Sequence, residues 1–177
     1  MKKIVAFGAS SSKNSINKEF ASYAAQLVHE SQPIGIRLED FEMPIYSIDR
    51  ENENGIPAPA HRFKQQIKNA DGIIISFAEH NGSYTSAFKN IFDWISRIEK
   101  DVWNHKPMLL LSTSPGVRGA KTVLEMAHSR FSRESPLEIP VFSLPSFNQN
   151  FDREKGIINE ELNTQFKKSL HLFEQQL

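Results

Sequence analysis

The sequence predicts an α/β fold: a five-stranded parallel sheet covered by helices on both faces, a three-layer αβα sandwich. Three observations predict it. Short apolar runs alternate with longer stretches of helical period. The run Ile73–Phe77 lacks polar alternation, as expected of a strand covered on both sides. Finally, 177 residues without a single cysteine must be held by an ordinary hydrophobic core, which a chain of this length is able to bury.

Taken in order, Lys3–Phe7 is the first strand, ended by Gly8. A helix starts near Ser15, because Ile16, Phe20, Ala24 and Leu27 fall on one face. Pro33–Leu38 reads as a second strand. Phe41 to Ala60, carrying Met43-Pro44, Asn54-Gly55, Pro57 and Pro59, reads as a long surface loop of the kind that often carries function. His61–Ala70 is helical, with Phe63 and Ile67 on one side, and Asp71-Gly72 turns the chain into the strand Ile73–Phe77. Ser86–Lys100 has the clearest stripe (Phe88, Ile91, Phe92, Ile95, Ile98); Trp94 lies off it, which predicts partial exposure or a subunit contact. Pro107–Leu111 and Ile139–Leu144 read as strands on either side of a helix over Val117–Phe131. Ile158, Leu162, Phe166, Leu170 and Phe173 mark a last helix. Five strands and about five helices in one domain over residues 1–177 favour the doubly wound order 2-1-3-4-5, in which ligands bind beyond the carboxyl ends of the strands.

Composition narrows the function classes. The chain has 21 Lys+Arg against 21 Asp+Glu, so it has no net charge and no basic tract for nucleic acid. Lacking cysteine, it has no disulfides, thiolate metal sites or thiol nucleophile, so any redox chemistry belongs to a bound cofactor. The six histidines follow no metal-binding spacing, and no G-x-S-x-G elbow occurs. No apolar run is long enough to cross a bilayer, and Lys2-Lys3 leads directly into the first strand without a leader pattern. The expectation is a cytoplasmic protein.

Three loops follow the central strands. Gly8-Ala9-Ser10-Ser11-Ser12-Lys13-Asn14-Ser15-Ile16-Asn17 leads into a helix N-terminus, where backbone N–H groups and hydroxyls attract a phosphate. It is neither a Walker A loop nor G-x-G-x-x-G, so it suits a single terminal phosphate; as an alternative it is a serine-rich cap. Ala78-Glu79-His80-Asn81-Gly82-Ser83 contains an Asn-Gly turn that exposes amides to a flat polar heterocycle, or is a plain turn. Ser112-Thr113-Ser114-Pro115-Gly116-Val117-Arg118-Gly119 offers hydroxyls and glycines to the other edge of a ligand, or caps a helix.

Together these loops resemble those of the NADPH-dependent FMN reductases, a flavodoxin-like family with azo-, quinone- and chromate-reducing members. Glu79, Asn81-Gly82-Ser83, Lys89-Asn90 and Asp93-Trp94 are similar to that family's Pro-Glu-Tyr-Asn-Gly-Ser…Lys-Asn…Asp-Trp signature. Ser114-Pro115-Gly116 with Gly119, Met43-Pro44-Ile45-Tyr46, and Ser10, Ser15 and Asn17 match further segments. Ala78 stands where the family has Pro, and His80 where it has Tyr.

The resemblance implies an FMN-dependent oxidoreductase that takes a hydride from NADPH or NADH to the flavin N5. It then reduces a quinone, azo, metal-oxyanion or flavin acceptor in a ping-pong cycle, with no catalytic side chain. It further implies that Ser10, Ser12, Ser15, Ile16 and Asn17 receive the FMN phosphate. Glu79, His80, Asn81, Gly82 and Ser83 would face the ring, and Ser112, Thr113, Ser114 and Gly116 would close the other side. Arg118 is a candidate contact for the nicotinamide nucleotide, and the expected assembly is a homodimer or homotetramer. A flavodoxin-type electron carrier is the alternative. Such carriers are usually strongly acidic, and the balanced charge here favours the enzyme.

Overall fold

Alternation along the strands sorts the core into two halves. In the computed structural model, which describes residues 1–177, the sheet contains β1 (Lys2–Ala9), β2 (Ser31–Gly35), β3 (Gly72–Phe77), β4 (Met108–Thr113) and β5 (Val141–Leu144). All pairs are parallel, in the expected order β2-β1-β3-β4-β5. Val5, Phe7, Ala9, Ile73, Ile75 and Phe77 point to one side, where α3 (Ala58–Asn69), α4 (Ser86–Ile98) and α5 (Lys121–Ser132) cover them. Ile4, Ala6, Ile74, Leu109 and Leu111 point to the other, under α1 (Ile16–Gln26) and α7 (Glu160–Glu174). Because β1, β3 and β4 are buried on both faces, they read as largely apolar runs without polar alternation. The chain thus builds the flavodoxin-like αβα sandwich.

Several elements differ from expectation for identifiable reasons. The second strand ends at Gly35, and Leu38–Phe41 forms a 3₁₀ turn instead of continuing it. The expected loop from Phe41 to Ala60 holds a helix, α2 (Ile48–Asn54), and the first turn of α3. Helix α2 buries none of its residues, so it has no apolar stripe to read; Ser47 caps it and Gly55 ends it at a positive φ of 71°. Helix α5 starts at Lys121 rather than Val117, because Gly119 and Ala120 take left-handed conformations and Val117 stays 83% exposed. Ile158 is likewise outside α7, and half exposed. Short α6 (Phe147–Asn150) and the hairpin β6 (Phe151–Asp152) with β7 (Gly156–Ile157) fill the path from β5 to α7. Gly156 is required there, since any side chain would strike the Tyr23 ring.

The connection from α4 to β4 is held by an unusual group. The Lys64 side chain is almost fully buried, and its Nζ donates to the carbonyls of Asp101 and Val102 at 2.6 Å each. Glu99 lies 3.1 Å from the same ammonium and 3.2 Å from Lys68. Burial pushes Lys64 below the ordinary lysine range, while hydrogen bonds from Asn104, Lys64 and Lys68 hold Glu99 down to about 2.

Candidate functional site

The three loops lie at the carboxyl ends of β1, β3 and β4, and one side chain ties their roots together. Asn17, in the first turn of α1, donates from Nδ2 to the Thr113 carbonyl at 3.1 Å. Its Oδ1 accepts from Ser76 Oγ at 2.7 Å and from Thr113 N at 3.0 Å. A buried amide with both ends satisfied is a strut, joining α1 to the ends of β3 and β4. The Asn17 side chain is therefore committed inside the protein, and what it offers a ligand is its backbone N–H.

Gly8 sets the approach of α1 to the sheet. A Cβ at this position would overlap the backbone of Asn17 and Lys18, so only glycine lets the helix N-terminus sit against the end of β1. Ser15 caps the helix by accepting from Lys18 N at 3.2 Å. The N–H groups of Ile16 and Asn17 are left without a partner in the chain, as the first turn of a helix requires. Ser10 is half-buried, and its Oγ accepts from Ser12 N at 3.2 Å; Ser12 itself is exposed. The loop thus presents amides, hydroxyls and the positive end of a helix to an anion.

In the second loop His80 and Ser83 exchange backbone hydrogen bonds of 3.0 and 3.1 Å around a two-residue turn. Asn81 and Gly82 both have positive φ, 52° and 73°, which explains the Asn-Gly pair and leaves both of their N–H groups free. The turn is held at two points. Thr85 Oγ1 donates to the Ala9 carbonyl at 2.8 Å, joining it to β1. Glu79 Oε2 accepts from Val123 N at 3.0 Å and so caps α5, whose preceding Ala120 has no capping side chain. The Glu79 carboxylate is therefore engaged with the next helix, and the imidazole of His80 is exposed.

The third loop begins two residues later than the sequence suggests. Ser112 and Thr113 belong to β4, and their buried hydroxyls donate to the carbonyls of Gly119 and Leu144, both at 2.7 Å. Ser114 is half-buried, its Oγ turned onto the Gly116 carbonyl at 3.2 Å, and Gly116 is exposed with a free N–H. Phe147 N donates to Ser114 O and Ser146 N to Gly116 O, at 3.0 and 2.9 Å, fixing the loop from beneath.

The structure thus gathers Ser10, Ser12, Ser15, Ile16, Asn17, Glu79–Ser83, Ser114 and Gly116 at one end of the sheet, and sets Ser112 and Thr113 just behind. Unpartnered amides at Ile16 and Asn17 fit a phosphate monoester. Those at Asn81, Gly82 and Gly116 fit the polar edge of a flat heterocycle. Two contributors were missed in the sequence, Ser76 and Thr85. A lone serine in the apolar run Ile73–Phe77 was the available signal, since a buried hydroxyl requires a partner.

The segment before α3 is held against α4. Asn90 Nδ2 donates to the carbonyls of Met43 and Pro44, both at 3.1 Å, and its Oδ1 accepts from Tyr46 N at 2.8 Å. Trp94 is 1% exposed, with Nε1 donating to Pro44 O at 2.8 Å and the Tyr46 ring edge-on at 5.0 Å. The expected exposure of Trp94 is thus corrected: its partner is a strap of chain.

The sequence profile of the NADPH-dependent FMN reductases matches residues 2–150. An NADPH:quinone oxidoreductase of Arabidopsis thaliana is 29% identical over 95% of this chain and 88% of its own length. An NAD(P)H-dependent FMN reductase of Pseudomonas aeruginosa is 30% identical over 81% of this chain and 75% of its own. Among solved structures, a flavoenzyme NAD(P)H:(acceptor) oxidoreductase of Paracoccus denitrificans superposes with a TM-score of 0.77 at 21% identity, covering 99% of this chain and 97% of that one.

Proposed function

The chain belongs to the NADPH-dependent FMN reductase family, and on that premise we propose that it is an FMN-dependent NAD(P)H oxidoreductase. Its acceptors are small molecules of the quinone, azo, metal-oxyanion or flavin class. FMN held at this site would supply the redox chemistry, hydride transfer from the nicotinamide and reduction of the acceptor. The protein's own groups bind, orient and tune. The Ile16 and Asn17 amides and the Ser10, Ser12 and Ser15 hydroxyls hold the phosphate at the positive end of α1. The Asn81 and Gly82 amides, on the rigid turn between His80 and Ser83, favour negative charge at the ring edge. Glu79 and Thr85 anchor that turn, and Ser114 and Gly116 bound the opposite side, carried on Ser112 and Thr113.

The observation that supports the reading best is the Asn17 bridge, which brings a phosphate-type helix terminus and two amide-bearing loops to one place. The quinone named for the Arabidopsis relative supports that acceptor class. In this reading residues 1–177 are one domain, assembled as a cytoplasmic homodimer or homotetramer, without a nucleic-acid partner. Balanced charge supports the absence of a nucleic-acid partner. No helix is long and apolar enough to cross a membrane.

The test is an absorbance spectrum of protein loaded with FMN, desalted, and mixed with NADPH without oxygen. A retained flavin band that bleaches within seconds is expected. A retained band that stays yellow would instead make the protein an electron carrier. Light scattering tests the assembly, which a monodisperse monomer would refute.

A further inference from the structure

We propose that a cation-lined groove beside α1 receives the adenylate half of FAD, so that the chain takes FAD as well as FMN. The proposal rests on the flavin reading above. The groove holds about 500 Å³ and starts at Ser15, the residue that caps α1 next to the free Ile16 and Asn17 amides. From there it runs along α1 to Gly35 and Arg37, at the end of β2. A volume of this order suits a small nucleotide.

Its chemistry is that of a second phosphate site. Lys13, Lys18, Arg37 and Arg153 line it against a single acid, Glu19, in a chain whose overall charge is zero. Its one apolar lining residue, Ile36, is buried. Neither Lys13 nor Lys18 is in an ion pair; the Lys18 ammonium instead donates to the Lys13 carbonyl at 2.7 Å. The two arginines are oriented by carboxylates on one edge only. Arg37 meets Asp40 through Nε and Nη2 at 3.0 and 2.7 Å, and Arg153 meets Glu19 through the same atoms at 2.9 and 3.3 Å. Each guanidinium has five N–H donors, so the Nη1 edge of both forks remains for a phosphate. Arg37 also offers a planar face on which an adenine can stack.

Position selects the ligand. A flavin whose first phosphate rests on the first turn of α1 reaches this groove with its second phosphate, and FAD carries that phosphate and an adenosine on the same chain of atoms. The 2′-phosphate of NADPH has related chemistry but is tethered to the nicotinamide, so the two sources separate experimentally.

Gly35 makes the test clean. Nothing lies within 4 Å of a Cβ placed there, so Gly35→Phe starts into open space and adds its bulk to the groove wall. FMN and FAD are titrated into the cofactor-free full chain by flavin fluorescence, for wild type, Gly35→Phe and Arg37→Gln, with melting temperatures checked. Both variants are expected to weaken FAD by about tenfold or more while FMN changes by less than about twofold. The FAD:FMN affinity ratio of the wild type is also expected to fall with added salt. Equal loss for both flavins, or no loss for FAD, overturns the proposal. So does a rise in KM for NADPH but not NADH, which would give the groove to the 2′-phosphate. Failure of wild type to bind FMN at all would refute the flavin reading itself, a result distinct from a groove that ignores FAD.

Discussion

Asn17 ties α1 to the ends of two strands. Asn17→Ala strips partners from Ser76 Oγ and from both backbone groups of Thr113. Buried groups left unpaired predict a loss of about 2–4 kcal/mol in urea denaturation, together with weaker FMN binding. Gly8→Ala acts on the same joint by sterics. Its methyl meets backbone, not a flexible side chain, so α1 must move off β1, at a cost of about 1–3 kcal/mol. Tyr84 gives the opposite sign. Its hydroxyl is buried without a partner, and burial raises its pKa to about 12. Tyr84→Phe removes that unsatisfied group and keeps the ring against Phe77 and Phe88, so stability should rise, by up to about 1 kcal/mol. A measured loss would show that the hydroxyl has a partner in solution. The sequence marked Asn17 as a ligand residue from its place at a helix start. Its amide turned inward because the two strand ends it bridges are distant in the chain, and that pairing leaves no local pattern.

Elements were legible wherever burial was two-sided or striped. Strands β1, β3 and β4 stand out as apolar runs, and α4 as a continuous stripe, because the core writes itself into those residues. Elements that bury little leave no such record. In edge strand β2, Gln32, Pro33 and Gly35 are exposed, and α2 buries nothing. The segment from Met43 to Asn54 is instead held from outside, by Asn90, by Trp94, and by Arg97 on Glu51 at 2.9 Å. This arrangement makes a prediction for Asn90→Ala. The strap should open before the rest of the fold, so limited proteolysis should cut between residues 43 and 54 roughly 5–30-fold faster than in wild type. Unchanged cleavage would mean that Trp94 and Arg97 hold the segment unaided. For the site, positions were legible but roles were not. The Asn-Gly turn announced itself by residue type, whereas the engagement of Glu79 with α5 follows from helix placement in three dimensions.

For the molecule as a whole, charge balance hides one concentrated electrostatic joint, at Lys64, Lys68 and Glu99. Because the folded state holds Glu99 at about 2, below the ordinary value of 4.5, its contribution is complete above 4.5 and disappears as pH falls toward 2. Glu99→Gln should therefore melt at a lower temperature than wild type at neutral pH, with the two curves converging as the solution is acidified through that window. Calorimetry from pH 7 to pH 2 checks this, and a constant gap would assign the effect to packing. The joint lies where α4 returns to β4, so flavin binding measured at neutral pH should remain intact in the same variant.

The Asn17 bridge has a further consequence, for biosynthesis. Asn17 and Thr113 lie 96 residues apart in the chain. A ribosome that has delivered the whole phosphate loop has not yet made the strand end against which that loop is braced. Until Thr113 has left the exit tunnel, the nascent chain offers Asn17 only Ser76 of its two partners. Cofactor capture is thus set late in translation, and a polypeptide truncated before β4 should emerge colourless even in a cell rich in flavin.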